Sequence, residues 1–167
     1  ATMILADLGA DVMKVEMPVK GDDSRHFGPY VGDESAYFMS LNRNKRSMTL
    51  NLKEEKGKEL LLDMIKHVDV VVENFRPGTM EKLSLGYDVL KEINPKIIYA
   101  AASGFGHSGP YSKRPAYDAI VQAMGGIMSI TGQEGGKFTR VGTSIGDITA
   151  GLFTTIGIIA ALRYREE

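Results

Sequence analysis

Fifteen consecutive residues, Ile148 to Leu162, carry no charge, and a single carboxylate, Asp147, stands at the mouth of that run. A helix so apolar is poorly suited to facing water on any side, yet the run falls short of the roughly 20 apolar residues that a bilayer core requires. It therefore reads as a core helix, which demands a domain large enough to cover it. Its first turn would set Asp147 beside backbone N–H groups that lack intrahelical partners, and the helix dipole there favours an ionised carboxylate. Such a carboxylate, when only partly hydrated, can attack an activated carbonyl. The competing structural reading is an N-cap, because Asp commonly precedes an apolar helix for that reason alone.

The rest of the chain alternates strand and helix patterns. Gly9-Ala10 closes a first helix, and Asp11 to Glu16 alternates apolar with polar as a half-buried strand does. Residues 17–33, with Pro18, Gly21, Gly28, Pro29 and Gly32, form a long loop of turn residues, a length that points to a binding role. Ser47 to Leu52 is the expected second strand, and Glu54 to Val68 an amphipathic helix with its apolar side chains on one face. Asp69 to Glu73 is continuously apolar between its ends, as in a parallel sheet covered on both faces. Then come a helix from Asp88 to Ile93, a strand from Lys96 to Ala102, a Gly-rich loop, a helix from 117 to about 130 broken at Gly125-Gly126, and the final helix. This order predicts an α/β fold, a Rossmann-like, mostly parallel sheet flanked by helices with right-handed crossovers. The first residues begin in mid-helix and the last end as a helix finishes, so the expectation is a single partial domain, 1–167, of a longer protein.

Composition narrows the function. With 43% apolar and 25% charged residues the chain suits a soluble globular domain, and a net charge of -1 provides no field to draw it to nucleic acid or a membrane surface. The absence of cysteine removes thiolate metal sites and a Cys nucleophile and fits a cytoplasmic location. His26, His67 and His107 lack ligand spacing, so no metal site is expected. Gly104-Phe-Gly106-His-Ser-Gly109 spells a dinucleotide-binding pattern after a strand, but Pro110 and Pro115 bracket a non-helical stretch where such a site needs a helix. Its glycines read instead as letting a loop pass close to a ligand. The cations at 43–46, Arg76 and Lys113-Arg114 read singly as solvated surface, and two of these groups sit where loops leave strands, which suits phosphate contacts.

Several segments together resemble the family III CoA-transferases, with the α-methylacyl-CoA racemases as close relatives. They are LADLGADVMKVE (5–16), LNRNKRSMTLNLK (41–53), VVVENFRPGTMEKLSLGY (71–87), NPKIIYAAASGFG (94–106), YDAIVQAMGG (117–126) and the Gly146-Asp147 helix start. The resemblance covers nearly the whole chain and implies that Asp147 is the nucleophile. It implies also an interlocked homodimer whose subunits each have a CoA-binding large domain and a small domain. The chain would be the N-terminal part of the large domain, without the opening strand and the small domain.

By the same resemblance, CoA is contacted by positions matching Leu50, Lys53, Asn74, Phe75, Arg76 and Lys82, and the acyl end lies near Tyr117 and Asp118. Met17 and Pro115 depart from the Arg and Lys common in the family, which shifts the phosphate contacts to Arg114 or the 43–46 cluster. The implied reaction moves CoA from an acyl-CoA to a carboxylic acid through an aspartyl-CoA thioester, with backbone N–H groups around Gly146 stabilising the oxyanions. It needs no cofactor beyond CoA as substrate. In the racemases a His precedes the position matching Asp118, whereas this chain has Tyr117; a phenol ordinarily titrates near about 10 and is a poor base near neutrality. A racemase and, for the isolated segment, a non-catalytic CoA-binding or dimerisation module are the alternatives.

Overall fold

A computed structural model describes residues 1–167. The elements run α1 (Thr2–Asp7), β1 (Val12–Glu16), a 3-10 turn (Asp23–His26), β2 (Tyr30–Val31), β3 (Glu34–Ser35), α2 (Ala36–Asn42), β4 (Lys45–Thr49), α3 (Glu55–Ile65) and β5 (Val70–Glu73). There follow α4 (Thr79–Lys82), α5 (Tyr87–Ile93), β6 (Ile98–Ala101), α6 (Asp118–Met124), a second 3-10 turn (Ile127–Ser129) and α7 (Ile145–Glu166). The class is α/β, but its parallel strands form two short pairs, β1 with β4 and β5 with β6, rather than one continuous ladder. The contacts divide the chain into two compact units: Ala1–Asp69 with Leu83–Ile97, and Val70–Lys82 with Ile98–Glu167.

In the first unit β1 and β4 lie in register from Val12↔Lys45 to Glu16↔Thr49. The expected strand at 47–52 thus begins two residues earlier and ends at Thr49, after which the Leu50 amide donates once more to the Glu16 carbonyl. Register rather than propensity sets these limits, since Ser47 and Glu16 also join through their side chains at 2.9 Å. The buried Glu16 carboxylate takes Arg25 Nε and Nη2 at 2.8 Å each and the Asp22 amide at 2.9 Å. The Arg25 hydrogen bonds dominate the balance and hold Glu16 down at about 2, against the burial that opposes them. Arg25 in turn lies 3.9 Å from the centre of the Phe38 ring. The 17–33 segment is therefore pinned to the strand end by one buried carboxylate, and it contains the 3-10 turn and the first strand of a small antiparallel hairpin.

The cations of 43–46 are committed to neighbours inside the same unit. Arg43 pairs with Asp7, Arg46 with Asp11, and Lys45 donates to Asn42 at 2.9 Å. That arrangement matches their reading as ordinary surface and leaves them poorly placed to take over phosphate contacts. At the other end of the unit, Asn94 Nδ2 donates to the Ile65 and Val68 carbonyls at 3.0 and 2.9 Å, closing the C-terminal end of α3 whose carbonyls would otherwise lack partners. Leu85 and Leu90 of the same returning segment are fully buried.

In the second unit β5 and β6 pair from Val70↔Ile98 to Glu73↔Ala101, and α7 packs on β6 and α6. The run expected to be a fully buried core helix is not one. Thr155 and Ile158 are its buried residues, whereas Phe153 is 72% and Ile156 59% exposed. The helix is also longer than its uncharged run, at 22 residues, and by length and composition it is apolar enough to cross a membrane. Only one narrow face of it meets the rest of its unit, which is why so little of a helix that is apolar all round is covered.

Candidate active site

Asp147 is the third residue of α7, within the first turn rather than at the cap; Ser144 holds the cap position and makes no side-chain cap bond. The N-cap reading is therefore wrong for Asp147. Its side chain is exposed, yet burial of its surroundings, and then the charge of Asp118, raise its pKa above the ordinary carboxylate value. A carboxylate under those two influences is less stabilised by water and more basic, which suits a nucleophile.

Asp118 opens α6 after Tyr117, and its two oxygens have separate partners. Oδ1 accepts the Gly146 N–H at 2.9 Å, and Oδ2 accepts Gln122 Nε2 at 2.7 Å. The first of these changes the expected oxyanion site. Gly146's amide is already bonded, as are those of Ile145 to the Thr143 carbonyl and Ile148 to the Ser144 carbonyl, so these three donors at the helix start are engaged within the protein. Gly146 is what lets the two elements approach: a Cβ there would lie 3.1 Å from Asp118 Oδ1 and 3.3 Å from Val121 Cγ1.

The Asn74-Phe75-Arg76 turn leaves the carboxyl end of β5, where open α/β sheets bind ligands. It is held from both sides: Asn74 Nδ2 donates to the Ala102 carbonyl at 2.6 Å, and the Phe75 amide to Glu73 Oε2 at 2.6 Å. The other oxygen of the buried Glu73 accepts from Tyr99 Oη at 3.3 Å and lies 4.0 Å from His107 Nε2. Burial, and then the Glu73 charge, raise the Tyr99 phenol above its ordinary range. The turn thus presents an exposed Phe75 ring and an exposed Arg76 on a fixed backbone, and the exposed Lys82 ends α4 just beyond.

Tyr117, Asp118 and Asp147 belong to the same unit as Asn74, Phe75, Arg76 and Lys82, whereas Leu50 and Lys53 belong to the other. Leu50 is 8% exposed, and Lys53 is an exposed cation whose amide bonds Asn51 Oδ1 at 3.1 Å. Tyr117 is 73% exposed. Arg114 stacks 4.3 Å from the Tyr111 ring centre. Gly104 packs against Ala116, and a Cβ there would meet Ala116 Cβ at 2.0 Å. A cavity of about 310 Å³ runs between β6 and the Thr154–Ala161 part of α7. It lies roughly 10–20 Å along the helix from Asp147. No cluster of His, Asp and Glu side chains is arranged to hold a metal ion.

Two residues of this site were not singled out from the sequence, Gln122 and Glu73. The signal for the first was the spacing Asp118…Gln122, an i, i+4 pair that places both side chains on one face of α6. For the second it was a lone acid at the end of an apolar strand, one residue before Asn74.

Residues 1–167 match CoA-transferase family III, and the chain belongs to that family. It is 53% identical over 166 residues to an acetyl-CoA:oxalate CoA-transferase of Acetobacter aceti, covering 99% of this chain and 43% of that one. It is 47% identical over 168 residues to a succinyl-CoA:glutarate CoA-transferase of Mus musculus, with 99% and 38% coverage. A crystal structure of a CAIB/BAIF family protein from Brucella suis superimposes with a TM-score of 0.93 at 45% identity, over 98% of this chain and 44% of that one. The chain therefore spans about two fifths of the length of these relatives.

Proposed function

We propose that this chain is the N-terminal part of the CoA-binding large domain of an acyl-CoA:carboxylate CoA-transferase, and that Asp147 is its nucleophile. The observation that carries the reading is the placement of Asp147: a carboxylate of raised pKa in the first turn of an otherwise uncharged helix start, beside a second carboxylate that binds the preceding amide. Relatives named as transferases of acetyl-CoA with oxalate and succinyl-CoA with glutarate support a donor thioester and a small dicarboxylate acceptor.

In the proposed sequence the Asp147 carboxylate attacks the donor thioester carbonyl, and the C–S bond breaks to give a mixed anhydride and CoA thiolate. The thiolate attacks the aspartyl carbonyl, forming an aspartyl-CoA thioester and releasing the donor acid as its carboxylate. The acceptor carboxylate then attacks the aspartyl thioester, again freeing the thiolate, which attacks the acceptor's acyl carbon; acceptor acyl-CoA leaves and Asp147 returns as a carboxylate. Atoms and charge balance without a redox partner or nucleotide, and CoA enters only as substrate.

Lys53, Arg76 and Lys82 are the exposed cations assigned to the CoA phosphates, and Phe75 to a flat contact with the CoA chain or base. Tyr117 and Asp118 are assigned to the acyl end. The reading extends to a homodimer and a cytoplasmic location. It sets aside a racemase, because the relatives bear transferase names and Tyr117 stands where that chemistry calls for a base.

The test is covalent capture. Incubated with acetyl-CoA, the whole protein should gain the mass of a CoA thioester on the peptide holding Asp147, and hydroxylamine should remove it. Asp147→Asn should gain nothing. An adduct on another residue, or full activity in Asp147→Asn, overturns the assignment.

A further inference from the structure

We propose that Gln122 is the positioning residue for the Asp147 carboxylate, its buried amide tying the segment that leads into α7 to the Asp118 carboxylate that holds the Gly146 amide. The inference rests on Asp147 being the nucleophile only for its catalytic consequence; the placement itself is a matter of geometry.

Gln122 is 0% exposed, and a side-chain amide buried so deeply must be fully partnered. Its Oε1 accepts the Val141 N–H at 2.7 Å, and this bond fixes which end of the amide is oxygen. One Nε2 proton then goes to Asp118 Oδ2 at 2.7 Å. The other points between the Val141 and Thr143 carbonyls, each 3.4 Å away. Asp118 relays the constraint, since its second oxygen holds the Gly146 N–H at 2.9 Å. One side chain thus governs the residues immediately before α7 and, through a single carboxylate, the residue before Asp147.

No side-chain cap bond fixes this helix start; its local bonds are the backbone ones and those of the Thr149 hydroxyl to the Ile145 and Gly146 carbonyls, all within the helix and the turn before it. Ser144 caps α7 in position only, without a side-chain bond to the first turn, and a Cβ on Gly142, two residues earlier, would meet nothing within 4 Å. The start of a 22-residue helix is therefore fixed by a contact from α6, not by its own cap. A displaced start shifts the nucleophile by a comparable amount, and misplacement by about 1 Å lowers rates by as much as roughly 100-fold.

Gln122→Met keeps the length and fills the site without donor or acceptor, and Gln122→Glu keeps the Val141 acceptor but turns an oxygen toward Asp118 Oδ2. In the whole protein, hydrogen exchange should show the Val141 and Gly146 amides exchanging about tenfold faster or more in both variants. In Gln122→Met, which adds no charge, the Asp147 carboxyl should titrate at lower pH as its surroundings loosen. In the whole protein, kcat should fall roughly 10- to 100-fold while KM for acyl-CoA stays within about twofold. Folded variants with unchanged Gly146 exchange and Asp147 titration overturn the proposal. Global unfolding of both variants overturns it too, because Gln122 is then a packing residue. Failure of the unsubstituted protein to acquire CoA on Asp147 removes the proposed function instead, and leaves the exchange and titration results to decide the placement.

Discussion

Asp118 Oδ1 accepts the backbone N–H of Gly146 at 2.9 Å, so one carboxylate holds the helix start that carries another. The charge of the same Asp118 carboxylate is what, after burial, raises the Asp147 pKa. Position and protonation of Asp147 are thus coupled through a single side chain. Gly146→Ala tests that coupling, because its Cβ would press on Asp118 Oδ1 from 3.1 Å. Replacing a helical Gly stabilises by roughly 0.5–1 kcal/mol, and the tight contact opposes this by a similar amount. We expect a stability change within about 1 kcal/mol by denaturant titration, with a clear drop in the rate of CoA capture on Asp147. An unchanged capture rate argues against the coupling.

Asp147→Asn carries an independent pH signature. A raised carboxyl pKa means the folded chain binds that proton more tightly than the unfolded chain does, so stability falls as pH rises from the ordinary carboxylate value through the folded one and stays reduced above it. Removing the charge should therefore raise the melting temperature at neutral pH, and the gain should vanish below about pH 4. Melting curves at pH 3.5 and 7 decide it. A lower melting temperature for Asp147→Asn at pH 7 would show that the helix dipole outweighs burial and Asp118.

Glu16 has the opposite sign. Its pKa is lowered from 4.5 to about 2, chiefly by the Arg25 hydrogen bonds, so its contribution is complete above about pH 4.5 and is lost as pH falls through about 2. That interval corresponds to roughly 3 kcal/mol for this buried group. Arg25→Met should lower stability at pH 7 and flatten its dependence between pH 5 and 2. Urea midpoints across that range provide the check.

Gly57 lies in α3 against the turn that follows Leu50. A Cβ at Gly57 would sit 2.1 Å from the Asn51 carbonyl oxygen, so the helix or the turn must move if the position is substituted. Gly57→Ala should destabilise by about 1–3 kcal/mol despite the better helix propensity of Ala. Under the proposed assignment of Lys53 to CoA, it should also weaken CoA binding. A Gly57→Ala chain as stable as its parent would show that the turn yields freely.

Much of this architecture is legible in the residues themselves. The unbroken Val70-Val71-Val72 run marked a strand, though the structure leaves all three half-buried in a two-stranded pair rather than covered on both faces, and the alternation from Asp11 to Glu16 marked β1. The end of β4 was not legible, because it depends on Glu16 meeting Thr49 across the ladder, a pairing between residues far apart in sequence. Nor was the exposure of α7, since hydropathy reports what a helix prefers and not what lies beside it. Asp147 was legible as a lone carboxylate at the start of the last helix, but its place inside the first turn was not, for α7 begins two residues before it, where Asp118 of α6 holds the Gly146 amide. Gln122 left little trace because glutamine is at home on any helix.

The return of residues Leu83–Ile97 to the first unit, after Val70–Lys82 has entered the second, makes the chain change units three times, at 69/70, 82/83 and 97/98. No single cut separates them. A gene truncated after Asp69 encodes a first unit without Leu85 and Leu90, and with the last carbonyls of α3 stripped of Asn94. Dissection by deletion is thus closed to this protein, and the shortest polypeptide that supplies the first unit in full runs through Ile97.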